Sequence, residues 1–168
     1  NWFYSLLIMS AVLEEKGPVK TIFGYALVRD EKGEEMHKSK GNAIWFDDAV
    51  EIIGADPMRW IYAKQNPAEN MNFGYNVAEE AKRKLLVLYN VYSFFSTYAK
   101  SGKILSEGLE IDPSNVLDKW ILSKINHLIG AVEFNFDKYN MARAVLAIED
   151  FFINDLSWCI NQMPCLPG

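Results

Sequence analysis

Residues 36–42 read Met-His-Lys-Ser-Lys-Gly-Asn, a run of charged, polar and turn-forming side chains behind one methionine. The ammonium groups of Lys38 and Lys40 suit a polyphosphate. They bring donors and positive charge to where negative charge accumulates. Ser39 adds a hydroxyl donor, Gly41 lets the backbone approach closely, and Asn42 tolerates unusual dihedrals. Composition alone favours another reading, a solvated surface loop. The phosphate loop G-x-x-x-x-G-K-[ST] is absent from the chain, and so is G-x-G-x-x-G. The nucleophile elbow, H-E-x-x-H and the calcium loop are absent as well. Two histidines and two cysteines, Cys159 and Cys165, make no zinc constellation and no C-x-x-C pair. No metal site is expected.

The segments around the loop must position it. Residues 2–15 predict an apolar helix, stopped at Gly17-Pro18 and expected to be buried. "VKTIFGYALVRD" is rich in β-branched and aromatic residues and predicts one or two short strands. After the loop, Asp48 with Glu51 three residues on has the form of a capping box, so a short helix is expected there, ending at Gly54. Asp56-Pro57 has the form of a cap and first turn of another, ending before Pro67. From residue 77 long helices are expected. Val77, Ala81, Leu85, Leu88, Tyr92, Phe95 and Ala99 fall at steps of three and four. A helix opened by Asp112-Pro113 follows, with Leu117, Ile121, Ile125, Leu128 and Val132 on one face. The last comes after Asn140, with Val145, Ile148, Phe152, Leu156 and Cys159. Three such helices predict an antiparallel bundle. The chain is mostly α. Residues 1–65 form a small α/β unit, and residues 66–168 form a helical one joined through "KQNPAENMNFGYN".

With 168 residues, half of them hydrophobic and 14% aromatic, the chain can build a core and is not a disordered segment. Its net charge of -5 does not advertise a nucleic-acid binder, so any such contact needs a local basic patch. Lys82-Arg83-Lys84 is one candidate, and a solvated helix face is as good a reading of it. The apolar opening is too short to span a bilayer and lacks a basic leader. A reduced, cytoplasmic protein is the simpler reading of two unpaired cysteines, although a disulfide stays open. Both ends read as cut, and the chain is expected to be a piece of something longer.

"MHKSKGN" followed by "GADPMR" resembles the C-terminal signature of class I aminoacyl-tRNA synthetases, K-M-S-K-S-x-G-N and then G-A-D-x-x-R. Met36, Lys38, Ser39, Gly41 and Asn42 match the first element. Gly54, Ala55, Asp56 and Arg59 match the second. "LDKWILSKINHLI" and "NDLSW" resemble the helical anticodon-binding domain of the isoleucine, valine and leucine subgroup. "WFYSLL" resembles a stretch of its isoleucine-specific members. The departures are Glu35 where the first lysine is usual, His37 where the first serine is usual, and Tyr25-Ala26 where a His-Gly pair is common.

The resemblance implies a small α/β remnant of a Rossmann-like nucleotide-binding core, followed by the anticodon-binding bundle. It implies ATP with Mg2+, tRNA and an amino acid, isoleucine, as partners, and no membrane. Lys38 is then the catalytic residue, and Met36, His37, Lys38, Ser39 and Lys40 contact ATP. Lys40, or a protonated His37, partly replaces the missing lysine. Glu35 pairs with Lys32 or Lys38 and holds the loop open. Arg59 is structural. The anticodon-reading residues are not legible. The H-x-G-H signature is nowhere in the chain, so the chain by itself is expected not to charge tRNA. The alternatives are a valine or leucine sibling, or a non-catalytic tRNA-binding or helical interaction module with a decayed loop.

Overall fold

The computed structural model describes residues 2–98 and 115–162. It is mostly helical, with one two-stranded parallel sheet. The elements in order are helix α1 (Trp2–Glu14), strand β1 (Val28–Arg29), a 3-10 turn (Lys38–Lys40), α2 (Phe46–Ile53) and α3 (Ala55–Lys64). Then come β2 (Met71–Asn72), α4 (Tyr75–Tyr98), α5 (Val116–Asp137), α6 (Met141–Asp150), a π-helical segment (Phe151–Leu156) and α7 (Ser157–Gln162).

Only the end of the expected strand region is regular. β1 pairs with β2 in parallel, with Val28 opposite Met71 and Arg29 opposite Asn72. The contact extends by hydrogen bonds from Ala26 N–H to the Pro67 carbonyl (2.8 Å) and from Phe73 N–H to the Arg29 carbonyl (2.8 Å). The segment expected only to link two units therefore carries the second strand. Two parallel strands joined through helices α2 and α3 are the smallest form of the expected α/β remnant.

Under this pair lies a core of Ala49, Ile53, Met58, Ile61, Met71, Phe73, Ala78 and Ala81. It draws on α2, α3, β2 and the start of α4. α2 begins two residues before the expected cap. Trp45 is the cap residue and makes no side-chain capping bond, and Asp47 and Asp48 sit in the first turn. There they face the positive end of the helix dipole. Asp56 likewise lies inside α3, whose cap is Gly54. Gly54 has φ 95°, which permits the sharp break between the two helices.

The expected burial of α1 is corrected. Tyr4, Leu6, Leu7, Ile8, Met9, Val12 and Leu13 are all exposed. A helix apolar on every side needs cover all round, and the described elements do not supply it. The α4 stripe is corrected too. Of that stripe Ala81 is buried and Leu85 half-buried, whereas Val77, Leu88, Tyr92 and Phe95 are exposed; Ala78 beside it is buried too. The small alanines let α4 approach α3 closely, and the stripe is covered at its start and loses its cover further along the helix. Ala99 and the Asp112-Pro113 opening lie outside the described residues. Asn115 caps α5, accepting the Leu117 N–H at 2.9 Å.

The other two faces agree with the periodicity. Leu117, Ile121, Ile125, Leu128 and Val132 form the half-buried side of α5. Val145, Phe152 and Cys159 are buried on the last helix, with Ile148 and Leu156 half-buried between them. Trp120 packs edge-on against Trp158, and Lys124 meets Asp155 at 3.2 Å. Partner numbers fall as α5 advances, so α5 runs antiparallel to the helix that follows it. Cys159 is a free, buried thiol, and Cys165 lies outside the described residues.

One carboxylate ties α6 to α3 and α4. Glu149 on α6 is buried and accepts from Trp60 Nε1 (2.7 Å) and Lys84 Nζ (2.8 Å), with Lys64 Nζ at 3.4 Å. Trp60 also packs on Phe152 with ring centroids 5.8 Å apart. Burial pushes the Glu149 carboxyl up. The bonds from Lys84 and Trp60 and the two lysine charges outweigh that and hold it below the ordinary carboxylate value. The Lys84 ammonium is pushed above its ordinary value by its bonds to Glu149 and Glu80, which exceed the opposing effect of burial.

A depressed carboxyl contributes stability above its unfolded value and loses it as pH falls through the folded one. Glu149→Ala should destabilise the chain by about 3 kcal/mol, because it strands two lysines and an indole N–H. Glu149→Gln should flatten the loss of stability below pH 4.5. Urea unfolding as a function of pH checks both.

Candidate functional site

The lysine loop is built on a turn at Asp30–Glu34. The Asp30 carboxylate accepts the backbone N–H groups of Lys32 (3.0 Å) and Glu34 (2.8 Å) on one oxygen. Gly33, with φ 83°, completes the reversal. The other Asp30 oxygen accepts from Asn42 Nδ2 at 2.8 Å. Asn42 also donates to the Glu35 carbonyl (3.1 Å) and accepts the His37 N–H (2.9 Å). Its one amide thus closes both ends of the loop onto the turn. The Asn42 bond, then the Glu34 N–H, hold the Asp30 carboxyl below its ordinary value.

Between these anchors Lys38, Ser39 and Lys40 form the 3-10 turn, all exposed. Gly41 ends it at φ 70°, a left-handed position that suits glycine. Met36 points the other way and packs against the core. It anchors the loop from below, while the lysines stay in water. Lys38 Nζ rests 4.5 Å from the centroid of the exposed Trp45 ring. Such a contact is worth roughly 0.5–1 kcal/mol at an exposed site, so it biases the ammonium without trapping it.

Several expectations change here. Glu35 pairs with neither Lys32 nor Lys38; its carboxylate lies 3.4 Å from His37 Nε2. The basic cluster on α4 is divided, because Lys84 turns inward to Glu149 and Glu80 while Lys82 and Arg83 stay exposed. Arg59 bridges Asp56 at 2.7 Å on the surface, as a structural residue. The roles of Asp30 and Trp45 were not anticipated. The D-x-x-G turn pattern of Asp30 and Gly33 was the available signal. For Trp45 there was none. Beside β1, Phe23, Tyr25, Tyr62, Met71 and Met141 line an apolar cleft of about 260 Å3.

Among the described residues, no group of three or more His, Cys, Asp and Glu is placed to hold a metal ion. No described helix is long and apolar enough to cross a membrane.

Residues 1–74 match the family of class I tRNA synthetases for isoleucine, leucine, methionine and valine. Residues 118–163 match the anticodon-binding domain of tRNA ligases. The chain belongs to the class I aminoacyl-tRNA synthetases. It is 38% identical over 165 residues to an isoleucine–tRNA ligase of Clostridium tetani and 36% identical to one of Pyrococcus abyssi. Each alignment covers 96% of this chain, and the chain spans 16% of each relative's length. A solved leucyl-tRNA synthetase complex of Agrobacterium radiobacter superposes with TM-score 0.68 over 95% of this chain and 20% of that one. At 19% identity this speaks for the fold. In this chain a minimal parallel pair precedes a helical bundle, and the lysine loop leads from the first strand into α2.

Asn42→Ala should free the loop without unfolding the protein. The His37 amide should exchange about two- to tenfold faster, from the loss of one hydrogen bond. The melting temperature should stay nearly unchanged. Amide exchange followed by NMR measures the first, and calorimetry the second.

Proposed function

We propose that this chain is the phosphate-facing part of an isoleucine–tRNA ligase, joined to the first helices of its anticodon-binding bundle. The observation that carries the reading is the lysine loop. Lys38 and Lys40 are held on an exposed 3-10 turn by Asn42 and Met36, at the place where "MHKSKGN" matches the family's signature. The isoleucine specificity rests on the relatives, which are isoleucine–tRNA ligases from bacteria and archaea alike. The uncovered surface of α1 and the apolar cleft beside β1 fit a chain that packs against more of a catalytic domain.

In the proposed reaction, the carboxylate of isoleucine attacks the α-phosphorus of ATP. The α–β bridging bond breaks, and pyrophosphate leaves with the bonding pair. The aminoacyl group then passes to a tRNA hydroxyl, releasing AMP. No covalent bond to the protein is needed, so the protein supplies position and charge. Lys38 leaves the Trp45 face and donates to the departing phosphates. Lys40 and Ser39 reach them from the same turn. His37 flanks the turn beside Glu35, and a protonated imidazole there adds a donor. Met36 contributes through backbone placement, since its side chain is spent on the core.

The loop presents donors for phosphate oxygens rather than ligands for a metal, so it fits a nucleotide whose phosphates bring Mg2+ with them. That ion neutralises phosphate charge when bound. tRNA is the proposed macromolecular partner. Lys82 and Arg83 remain available for its phosphates, and Lys84 does not.

In the full-length enzyme, Lys38→Ala should reduce isoleucine-dependent ATP–pyrophosphate exchange by roughly a hundredfold or more. Lys40→Ala should cause a smaller loss; a wild-type rate would remove Lys40 from the phosphate contact. The chain 1–168 alone should charge no tRNA, and measurable charging would overturn the division of labour proposed here.

A further inference from the structure

The residue after Asp30 faces the opposite way. Glu31 reaches across the turn to the first residues of α4, 45 positions on. Its Oε1 accepts the backbone N–H of Asn76 at 2.7 Å, and its Oε2 accepts from Asn76 Nδ2 at 2.9 Å. Both carboxylate oxygens are used on one residue. The first N–H groups of a helix have no partner within it, and a carboxylate there also meets the positive end of the dipole. A capping side chain normally comes from the residue just before the helix. Here that residue is Gly74, which has none.

Gly74 has a second property. A Cβ built on it would overlap Cγ, Cδ and Oε1 of Glu31. A side chain at this position would displace the Glu31 carboxylate from where it caps α4. The cap of α4 is supplied by the lysine-loop turn, and the helix start is shaped to receive it.

The consequence is a continuous path. α4 has 24 residues and extends for about 36 Å. Its middle is fixed to the bundle through Lys84 and Glu149. Its first turn is fixed to Glu31. Glu31 is bonded in sequence to Asp30, and Asp30 holds Asn42, which holds His37 and the Glu35 carbonyl. Displacing the start of α4 moves the turn that carries the lysines.

We infer that Glu31 is a positioning residue for adenylate formation: through Asn76 it sets the lysine loop relative to α4. This rests on the reaction proposed above, which the loop serves. Glu31 touches no reacting group itself.

The test uses the full-length enzyme. Glu31→Ala should lower the exchange rate per active site, titrated by the adenylate burst, by about ten- to a hundredfold, the scale of an ångström-sized misplacement. KM for isoleucine should not change. A merely structural role would lower the active fraction and leave the per-site rate and KM alone. Asn76→Asp sets a second carboxylate against Glu31 and should be similarly slow. Adding Glu31→Gln to Asn76→Asp should restore the rate, because the new amide donates to the new carboxylate and still accepts the backbone N–H.

Amide exchange at His37 and Lys40 gives a readout independent of activity, and both should quicken in Glu31→Ala. A wild-type per-site rate in Glu31→Ala, no rescue by the double variant, or unchanged exchange at His37 and Lys40 would each overturn the inference. A wild-type enzyme without isoleucine-dependent exchange would instead overturn the proposed reaction, and the amide readout would still decide whether Glu31 holds the loop.

Discussion

A single buried carboxylate sets how α6 sits against α3 and α4. Glu149 gathers an indole and an ammonium from α3 and another ammonium from α4. A charge taken out of water is tolerated only when its lone pairs are met. That demand holds α6 against both helices. Lys84 reaches inward to it, next to the buried alanines at 78 and 81. Larger apolar residues at 88, 92 and 95 are left outside.

The lysine loop follows the opposite logic. Its charges are kept in water, and its rigidity comes from neutral and acidic side chains around them. Asp30, Glu31 and Asn42 spend their oxygens and amide hydrogens on backbone groups and on each other. Lys38 and Lys40 are tied to none of these carboxylates. Among the described residues, Lys38 has only the weak attraction of the Trp45 face. Cations that must reach a polyphosphate are best held by nothing that outcompetes it. Glu35 fits this rule, since its partner is His37 and the lysines stay available.

Much of the molecule was legible because local rules and burial agreed. The α5 face and the last helix carried regular apolar steps, and these positions are half-buried or buried. Two helices after the loop were legible from Gly54 and the acidic residues around it. Their starts were not, because Asp48 and Asp56 serve the dipole from inside the first turn rather than capping. β2 hid in "AENMNFG", where two strand residues among turn formers carry no periodic signal. α1 read as core because it is apolar all round, and periodicity cannot say whether the covering partner lies in the same chain.

By itself the sequence determined the helical content, the exposed polar loop and, through the order of "MHKSKGN", "GADPMR" and "NDLSW", the family. These are matters of composition, spacing and order along the chain. The tertiary structure alone decided which carboxylates act as anchors. Asp30 with Asn42, Glu31 with Asn76 and Glu149 with Lys84 lie 12, 45 and 65 residues apart. A hydrogen bond depends on ångströms and angles in space, and no local pattern encodes a pairing over such separations.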